Sequence, residues 1–173
     1  MMALYIIGAI VLLILILILV APLDFNMERQ VTINKSKDIV FPYLKLLKNQ
    51  DYWSAWNLKD PNMKQELTGI DGTVGATNSW ESKNKNVGIG AQEILKITEG
   101  ERIDMELRFK EPMEVKHQAY FIVKSIAENQ TVVSWGFSGK TKRPMNVMFP
   151  LMKGMILKEF DQGLNNLKNI LEK

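Results

Sequence analysis

The segment DYWSAWNLKDPNM, residues 51–63, contains two of the four tryptophans in a chain of 173 residues. Trp53 and Trp56 lie three positions apart in a mostly polar stretch, which ends at the turn sequence Asp60-Pro61-Asn62. Tryptophan brings a large apolar surface that needs a packing partner. The partner of these two side chains must come from other parts of the chain, and the flanking sequences indicate what it is.

The sequence upstream of this segment predicts a strand followed by a helix. Residues 31–34, VTIN, are strand-like, and Ser36 is a good helix N-cap. Pro42 lies inside the helical pattern and removes one backbone hydrogen bond, so the helix is predicted to be short or broken. Residues 50–56 are predicted to form a second short helix. The apolar residues that define the first helix are Ile39, Val40, Tyr43, Leu44 and Leu47.

Downstream of the turn, apolar and polar residues alternate, which is typical of half-buried antiparallel strands. The clearest strand covers residues 102–110, where charged residues occupy one face and the other face carries Ile103, Met105, Leu107 and Phe109. Further strands are predicted at residues 76–82, 88–98, 115–126 and 131–138. One face of the strand at 115–126 carries His117, Ala119, Phe121 and Val123. One face of the last strand carries Val133, Trp135 and Phe137.

The last thirty residues, 144–173, are predicted to form one long helix. Apolar residues recur there at spacings of three and four, at Met152, Ile156, Phe160, Leu164, Leu167 and Leu171. Pro150 predicts a kinked or non-helical start. Because the strands are grouped together and the helices lie outside the group, the pattern predicts the α+β class rather than alternating parallel units.

The N-terminal run is uncharged up to Asp24. Residues 3–23 would form a helix of about 31 Å, close to the hydrocarbon thickness of a bilayer. A cleaved signal peptide is the alternative. However, no Lys or Arg precedes the run, and cleavage after Ala21 would leave bulky Leu19 at the −3 position. We therefore predict an uncleaved transmembrane anchor at residues 1–23.

One soluble domain, residues 24–173, is predicted to follow the anchor directly. No Gly/Ser linker separates the two, so the domain should lie close to the membrane surface. Basic residues flank the anchor only on its C-terminal side, at Arg29, Lys35 and Lys37. By the positive-inside rule this places the domain on the cytoplasmic side.

The composition excludes several classes of site. The chain has no cysteine and a single histidine, which removes disulfides, thiol nucleophiles, iron–sulfur clusters and ordinary zinc sites. The net charge of +3 comes from 22 basic and 19 acidic residues with no dense basic tract, so no nucleic-acid partner is predicted. The sequence contains no G-x-G-x-x-G motif, no P-loop and no G-x-S-x-G elbow. No cofactor or metal is therefore predicted.

A family resemblance explains the paired tryptophans. The pieces INKSKDIVFPYL, DYWSAWNLKDPNM, VGATNSWES, GIGAQEI, ERIDMELRF and TVVSWGFSG follow one another in an order and spacing that resembles the SRPBCC superfamily. This is the START-like group, which includes the polyketide cyclase/dehydrase family. The resemblance runs from about residue 28 to residue 173 and consists of many weak matches rather than one motif.

The resemblance implies a helix-grip fold. In that fold a curved antiparallel sheet of about six to seven strands wraps around the long C-terminal helix, and two short helices after strand 1 close one end. An apolar cavity lies between sheet and helix, with Trp53 and Trp56 at its rim or floor. The cavity candidates on this interpretation are Trp53, Trp56, Trp80, Met105, Phe109, His117, Phe121, Trp135, Phe137, Met152 and Met155.

Catalytic residues are not predicted. His117 and Glu93 are the only residues we would name as acid/base candidates. His117 is better explained as a strand histidine that is hydrogen-bonded to a neighbour, or that lies near the sheet edge with its tip in water, because no catalytic partner for it is visible. Lys140, Lys142 and Arg143 form a small basic cluster that we interpret as a solvated turn, with a membrane-surface contact as the alternative.

Three functions fit these features. The first is a membrane-anchored binding protein for an apolar or amphipathic small molecule, such as a lipid, an isoprenoid or a polyketide-like compound. The second is a cyclase/dehydrase-type enzyme that uses the same cavity. The third is a structural or stress-related membrane protein whose cavity is filled by its own side chains.

Overall fold

The computed structural model describes residues 1–111 and 114–173. The four α-helices are α1 (Met2–Val20), α2 (Lys37–Lys45), α3 (Gln50–Trp53) and α4 (Met148–Leu171). The seven strands are β1 (Asp24–Ile33), β2 (Lys64–Thr68), β3 (Thr77–Glu81), β4 (Ile89–Thr98), β5 (Arg102–Glu111), β6 (Val115–Ala127) and β7 (Gln130–Lys140). Short 3₁₀ turns occupy Leu47–Asn49, Asn57–Lys59 and Met145–Val147.

All seven strands form one curved antiparallel sheet in the order β1-β7-β6-β5-β4-β3-β2. The first strand therefore pairs with the last, and β2 forms the opposite edge. Helix α4 lies against the concave face and buries its apolar stripe there, at Ile156, Phe160, Leu164 and Leu167. The predicted α+β helix-grip fold is confirmed.

Glycine at position 163 lets α4 approach its neighbours closely. A Cβ at Gly163 would lie 2.8 Å from the Trp135 ring and 3.5 Å from the backbone nitrogen of Ala55. Any larger side chain would push α4 away from the sheet and from the segment after α3. The close approach at Gly163 therefore sets the distance between α4 and the sheet at Trp135.

Several element boundaries differ from the sequence-based prediction. Strand β2 was not predicted, because its sequence KQELT is almost entirely exposed and shows no alternation. Strand β1 begins at Asp24, seven positions before the predicted start. Pro150 lies in the first turn of α4, where its missing N–H would have no helical partner, so α-helix begins at Met148. Helix α2 is short, as Pro42 predicts.

Candidate functional site

A cavity of about 460 Å³ lies between the concave face of the sheet and α4. This volume falls within the range of about 300–1,000 Å³ that is usual for small-molecule sites. The segment from α3 to the 3₁₀ turn Asn57–Lys59 closes one side. Residues 85–87, between β3 and β4, and the first turns of α4 border the cavity on other sides.

The strand register arranges the sheet side of the cavity in parallel rows. The outer row is apolar and consists of Trp80, Phe109 and Val115. The middle row contains most of the polar groups and consists of Asn78, Gln92, Leu107 and His117. The inner row is apolar again and consists of Met105, Ala119 and Phe137. Phe121 and Trp135 form the next row.

Aromatic packing joins α4 to the deep end of the cavity. The rings of Trp135 and Phe160 stack with centroids 4.5 Å apart and an interplanar angle of 18°. Trp56 meets both rings edge-on, at 5.6 Å from Trp135 and 5.7 Å from Phe160. These three side chains form a continuous apolar wall, because offset stacks and edge contacts are the favoured aromatic geometries.

A second cavity of about 130 Å³ adjoins the first. Five residues line both cavities: Phe109, Val115, His117, Phe149 and Met152. The smaller one extends to Met145 and Met148, at the start of α4. Its wall is therefore rich in methionine, a side chain that adapts to irregular shapes.

The structure brings together nearly all the residues that the sequence nominated for the cavity. The main cavity is lined by Trp56, Trp80, Met105, Phe109, His117, Phe121, Trp135, Phe137, Met152 and Met155. Trp53 is the exception, because it lies behind the wall. Whether these side chains bind a ligand remains a prediction.

Trp53 supports the cavity wall from the core. Its side chain is 0% exposed and meets Phe121 at 5.8 Å and Trp135 at 5.1 Å, both edge-on. Residues three apart on one helix share a face, but α3 ends at Trp53 and Ser54 adopts an extended conformation. The chain direction therefore changes between the two tryptophans, and only Trp56 lines the cavity.

Sequence reasoning missed four polar residues of the cavity. Gln50, Ser54, Asn78 and Gln92 are buried, and all of them line it. A signal for one of them was present, since Gln92 has the same parity in β4 as the fully buried Ile94. Asn78 then follows from Gln92, because the two residues are paired across β3 and β4.

His117 lies within a group of three phenylalanines. Its ring is 5.1 Å from Phe25, 5.3 Å from Phe137 and 5.3 Å from Phe149, and each contact is edge-to-face. The side chain fits because Gly139 opposite has no Cβ, which would lie 2.4 Å from His117 Nδ1. The predicted hydrogen-bonded strand histidine is therefore corrected: Nδ1 is buried and has no hydrogen-bond partner in the described part of the chain.

Burial lowers the pKa of His117 below its ordinary value of 6.5. The folded state then binds this proton less readily than the unfolded state does. The contribution to stability is complete above pH 6.5, and it is lost as the pH falls from there through the lower folded-state pKa. We expect the free energy of unfolding, measured with urea, to be smaller at pH 5.5 than at pH 7.5.

The variant His117→Phe isolates this effect, because the chain has one histidine. Carboxylates contribute equally to both proteins, so the variant should show a weaker loss of stability between pH 7.5 and 5.5. An identical pH dependence in the two proteins would contradict a lowered pKa for His117.

Glu93 is not a cavity residue, and its nomination as an acid/base candidate is corrected. It alternates with Gln92 and Ile94 and so lies on the outer face of the sheet. There its Oε2 is 2.6 Å from Nη1 of Arg108, which also bonds Glu106 at 2.9 Å. A paired carboxylate on the outer face cannot reach a ligand between sheet and helix.

One ion pair lies at the border of the cavity. Lys59 Nζ is 2.6 Å from Glu159 Oε1 and links the segment after α3 to α4. Both residues line the cavity. Within the described residues, no group of three or more His, Asp or Glu side chains is placed to hold a metal ion.

The basic cluster before α4 is not simply a solvated turn. Arg143 donates through Nε to the carbonyl oxygen of Ile18 at 3.1 Å and through Nη2 to that of Leu19 at 2.9 Å. Asn146 donates through Nδ2 to the carbonyls of Ile18 and Ala21. These groups cap the last turn of α1, where helix carbonyls lack backbone partners. Lys140 and Lys142 make no contact with α1 among the described residues.

Comparison with solved structures identifies the architecture. Truncated norcoclaurine synthase from Thalictrum flavum superimposes with a TM-score of 0.65 at 12% identity, over 89% of this chain and 98% of that one. Aha1 from Colwellia psychrerythraea, solved as a dimer, superimposes with a TM-score of 0.58 at 18% identity, over 86% of this chain and 96% of that one. DynU16, from the dynemicin biosynthetic locus, superimposes with a TM-score of 0.61 at 14% identity, over 86% of this chain and 47% of that one.

The chain has the helix-grip fold of these solved structures. No protein-family model matches the sequence, and no curated protein matches it either. At identities this low the likeness to these structures shows the fold alone. Function belongs to the side chains of the site.

Proposed function

We propose that this chain is a membrane-anchored binding protein for an amphipathic small molecule, held in the cavity between the sheet and α4. The observation that carries the proposal is the lining of the 460 Å³ cavity: apolar side chains, most of them aromatic or methionine, form most of the wall surface, and polar side chains form the remainder. This combination is typical of sites for small organic ligands.

The apolar wall supplies the main driving force. Burial of about 200 Å² of apolar ligand surface contributes roughly 5 kcal/mol before the costs of association. The same observation weighs against a cavity filled by the protein's own side chains. Enzyme activity is not favoured by a specific contact, since Nδ1 of His117 has no partner among the described residues that would orient the ring as a general base.

Native mass spectrometry of the full-length chain, released from nanodiscs, tests this proposal. We expect a small apolar or amphipathic species at near-stoichiometric occupancy, identified by extraction and tandem mass spectrometry. An apo mass that persists after incubation with a library of hydrophobic compounds would overturn it. Conversion of a bound compound into a product of different mass would instead support the cyclase/dehydrase-type enzyme.

The anchor forms the second part of the proposal. Helix α1 is apolar and none of its residues is buried against the domain. The hydrogen bonds from Arg143 and Asn146 join its last turn to the domain, and cleavage after Ala21 would remove three of the carbonyls they use: those of Ile18, Leu19 and Ala21. These contacts support a retained anchor rather than a cleaved signal peptide. The cytoplasmic orientation rests on Arg29, Lys35 and Lys37, since basic residues flank α1 only on its C-terminal side.

The junction can be tested by limited proteolysis of the chain in membranes. We expect the wild-type chain to remain in the membrane pellet after alkaline washing. Arg143→Ala combined with Asn146→Ala should speed cleavage within residues 20–24 by more than about tenfold, because the four lost hydrogen bonds, of roughly 1 kcal/mol each, make local opening more frequent. Lys142→Ala removes a neighbouring charge without touching α1 and should leave the rate unchanged. A mature chain that begins at residue 22 would contradict the anchor.

A further inference from the structure

Four polar side chains of the cavity are unusually well buried. The exposed fractions are 7% for Gln50, 3% for Ser54, 7% for Asn78 and 8% for Gln92. Asparagine and glutamine are seldom this buried unless their amides are bonded. We call this set the polar strip. Its members come from opposite sides of the cavity, since Gln50 and Ser54 belong to α3 and its C-cap, and Asn78 and Gln92 are paired on the sheet.

The hydrogen bonds of the polar strip are incomplete. Asn78 donates through Nδ2 to Oε1 of Gln65 at 2.9 Å, and Gln65 in turn donates to Asp51. The side chains of Gln50, Ser54 and Gln92 form no hydrogen bond with any residue that the structure describes. Two carboxamides and one hydroxyl are thus free to bind a ligand. Their polar atoms are accessible from the cavity and are not sealed in the core, because the fully buried side-chain atoms without a partner in the described chain belong to other residues, such as Trp53 and His117.

The polar strip carries no charge. Lys59 and Glu159 form an ion pair at 2.6 Å on the opposite wall, where the second carboxylate oxygen of Glu159 is buried without a partner among the described residues. Two further charged residues of the lining, Lys85 and Glu111, lie beyond the outer row of the sheet. Carboxamides and hydroxyls both donate and accept, so the strip matches a ligand group that also does both. A carboxylate would find no cation within the strip, and a pure hydrocarbon would leave the three free groups unpaired.

We propose that the polar strip binds an uncharged hydroxyl or carboxamide group on an otherwise apolar ligand. This inference rests on the proposed function, because it names the chemical class of the ligand in the same cavity. The apolar rows on either side of Asn78 and Gln92 then hold the hydrocarbon part of the ligand. The polar strip fixes the position of the ligand, and the apolar walls supply most of the affinity.

Four twelve-carbon probes test the inference: dodecan-1-ol, dodecanamide, dodecanoate and dodecane. The full-length chain in nanodiscs is equilibrated with each probe at the same free concentration at pH 8. Bound probe is then measured by native mass spectrometry and corrected for empty nanodiscs. We expect the alcohol and the amide to bind about tenfold more tightly than dodecane or dodecanoate, which is the ratio that two neutral hydrogen bonds of ordinary strength give.

Leucine substitutions test whether the polar strip causes the preference for dodecanamide over dodecane. Gln92→Leu on the sheet and Gln50→Leu on α3 should each reduce the preference for dodecanamide over dodecane to within about threefold. Gln118→Leu makes the same change on the exposed outer face of β6 and should preserve the preference.

The outcomes separate the two proposals. Equal binding of dodecane and dodecanamide by the wild-type chain would overturn the polar strip and leave the apolar binding function intact. Absence of binding of all four probes would overturn the proposed function itself. Tighter binding of dodecanoate than of dodecanamide would overturn the assignment to an uncharged group. If a leucine variant fails to fold, the relative affinities of the four probes for the wild-type chain still test the preference for an uncharged polar group.

Discussion

Ala119→Phe should strongly weaken ligand binding and leave the fold intact. Ala119 lies in the inner row of the sheet between Met105 and Phe137, is buried, and lines the cavity. A benzyl group at this position would extend into the middle of the 460 Å³ space. We expect affinity for a bound amphipath to fall about fiftyfold, which corresponds to roughly 2–3 kcal/mol of steric conflict.

The matched control is Ala91→Phe. Ala91 lies on the outer face of β4, opposite Ser79 and Arg108, so the same added volume points away from the cavity. Binding is measured by titration of a fluorescent apolar probe, and folding by thermal unfolding of each variant. Unchanged affinity in Ala119→Phe, with normal stability, would show that the ligand binds elsewhere.

Trp53→Ala should cost about 4 kcal/mol of unfolding free energy, the usual scale for removal of a fully buried large aromatic residue. The ring is 0% exposed and contacts both Phe121 and Trp135, and the Trp53 carbonyl accepts a hydrogen bond from Asn166 on α4. Loss of the ring leaves a void between α3, α4 and the sheet. Urea denaturation of the wild-type and variant chains measures the effect.

Trp56→Ala is the natural comparison, three positions away. Trp56 is only partly buried and lines the cavity, so its loss should cost about 1–2 kcal/mol of stability and weaken ligand binding severalfold. The pair therefore separates a structural tryptophan from a binding one. Equal destabilisation by the two substitutions would contradict the division of roles described here.

Periodic burial made much of the fold predictable. The stripe on α4 and the alternation in β5, β6 and β7 each report which face is buried, and those faces are the ones that meet in the core. The cavity aromatics were found for the same reason, because they share parity with buried neighbours. Strand β2 gave no such signal, since nearly all its residues are exposed.

The remaining features depend on contacts between distant residues. Whether Trp53 or Trp56 lines the cavity depends on the end of α3 at Trp53, and the sequence had predicted one helix through both. Glu93 and Gln92 are adjacent in sequence, so a bulge or an error of one position exchanges their faces. The role of Arg143 follows only from its contact with carbonyls 124 and 125 positions earlier in the chain.

The capped end of α1 has a mechanical consequence. Strand β1 begins at Asp24, only three residues after the helix ends at Val20, and Arg143 and Asn146 hold the last helical turn from the other side. A domain fastened at both points cannot tumble independently of its helix. With α1 in a bilayer, the distance between the domain and the membrane surface would be fixed. The smaller, methionine-lined cavity would then lie near the end of α1, close to that surface. Ligand capture would then become a search in two dimensions, set by lateral diffusion in the membrane.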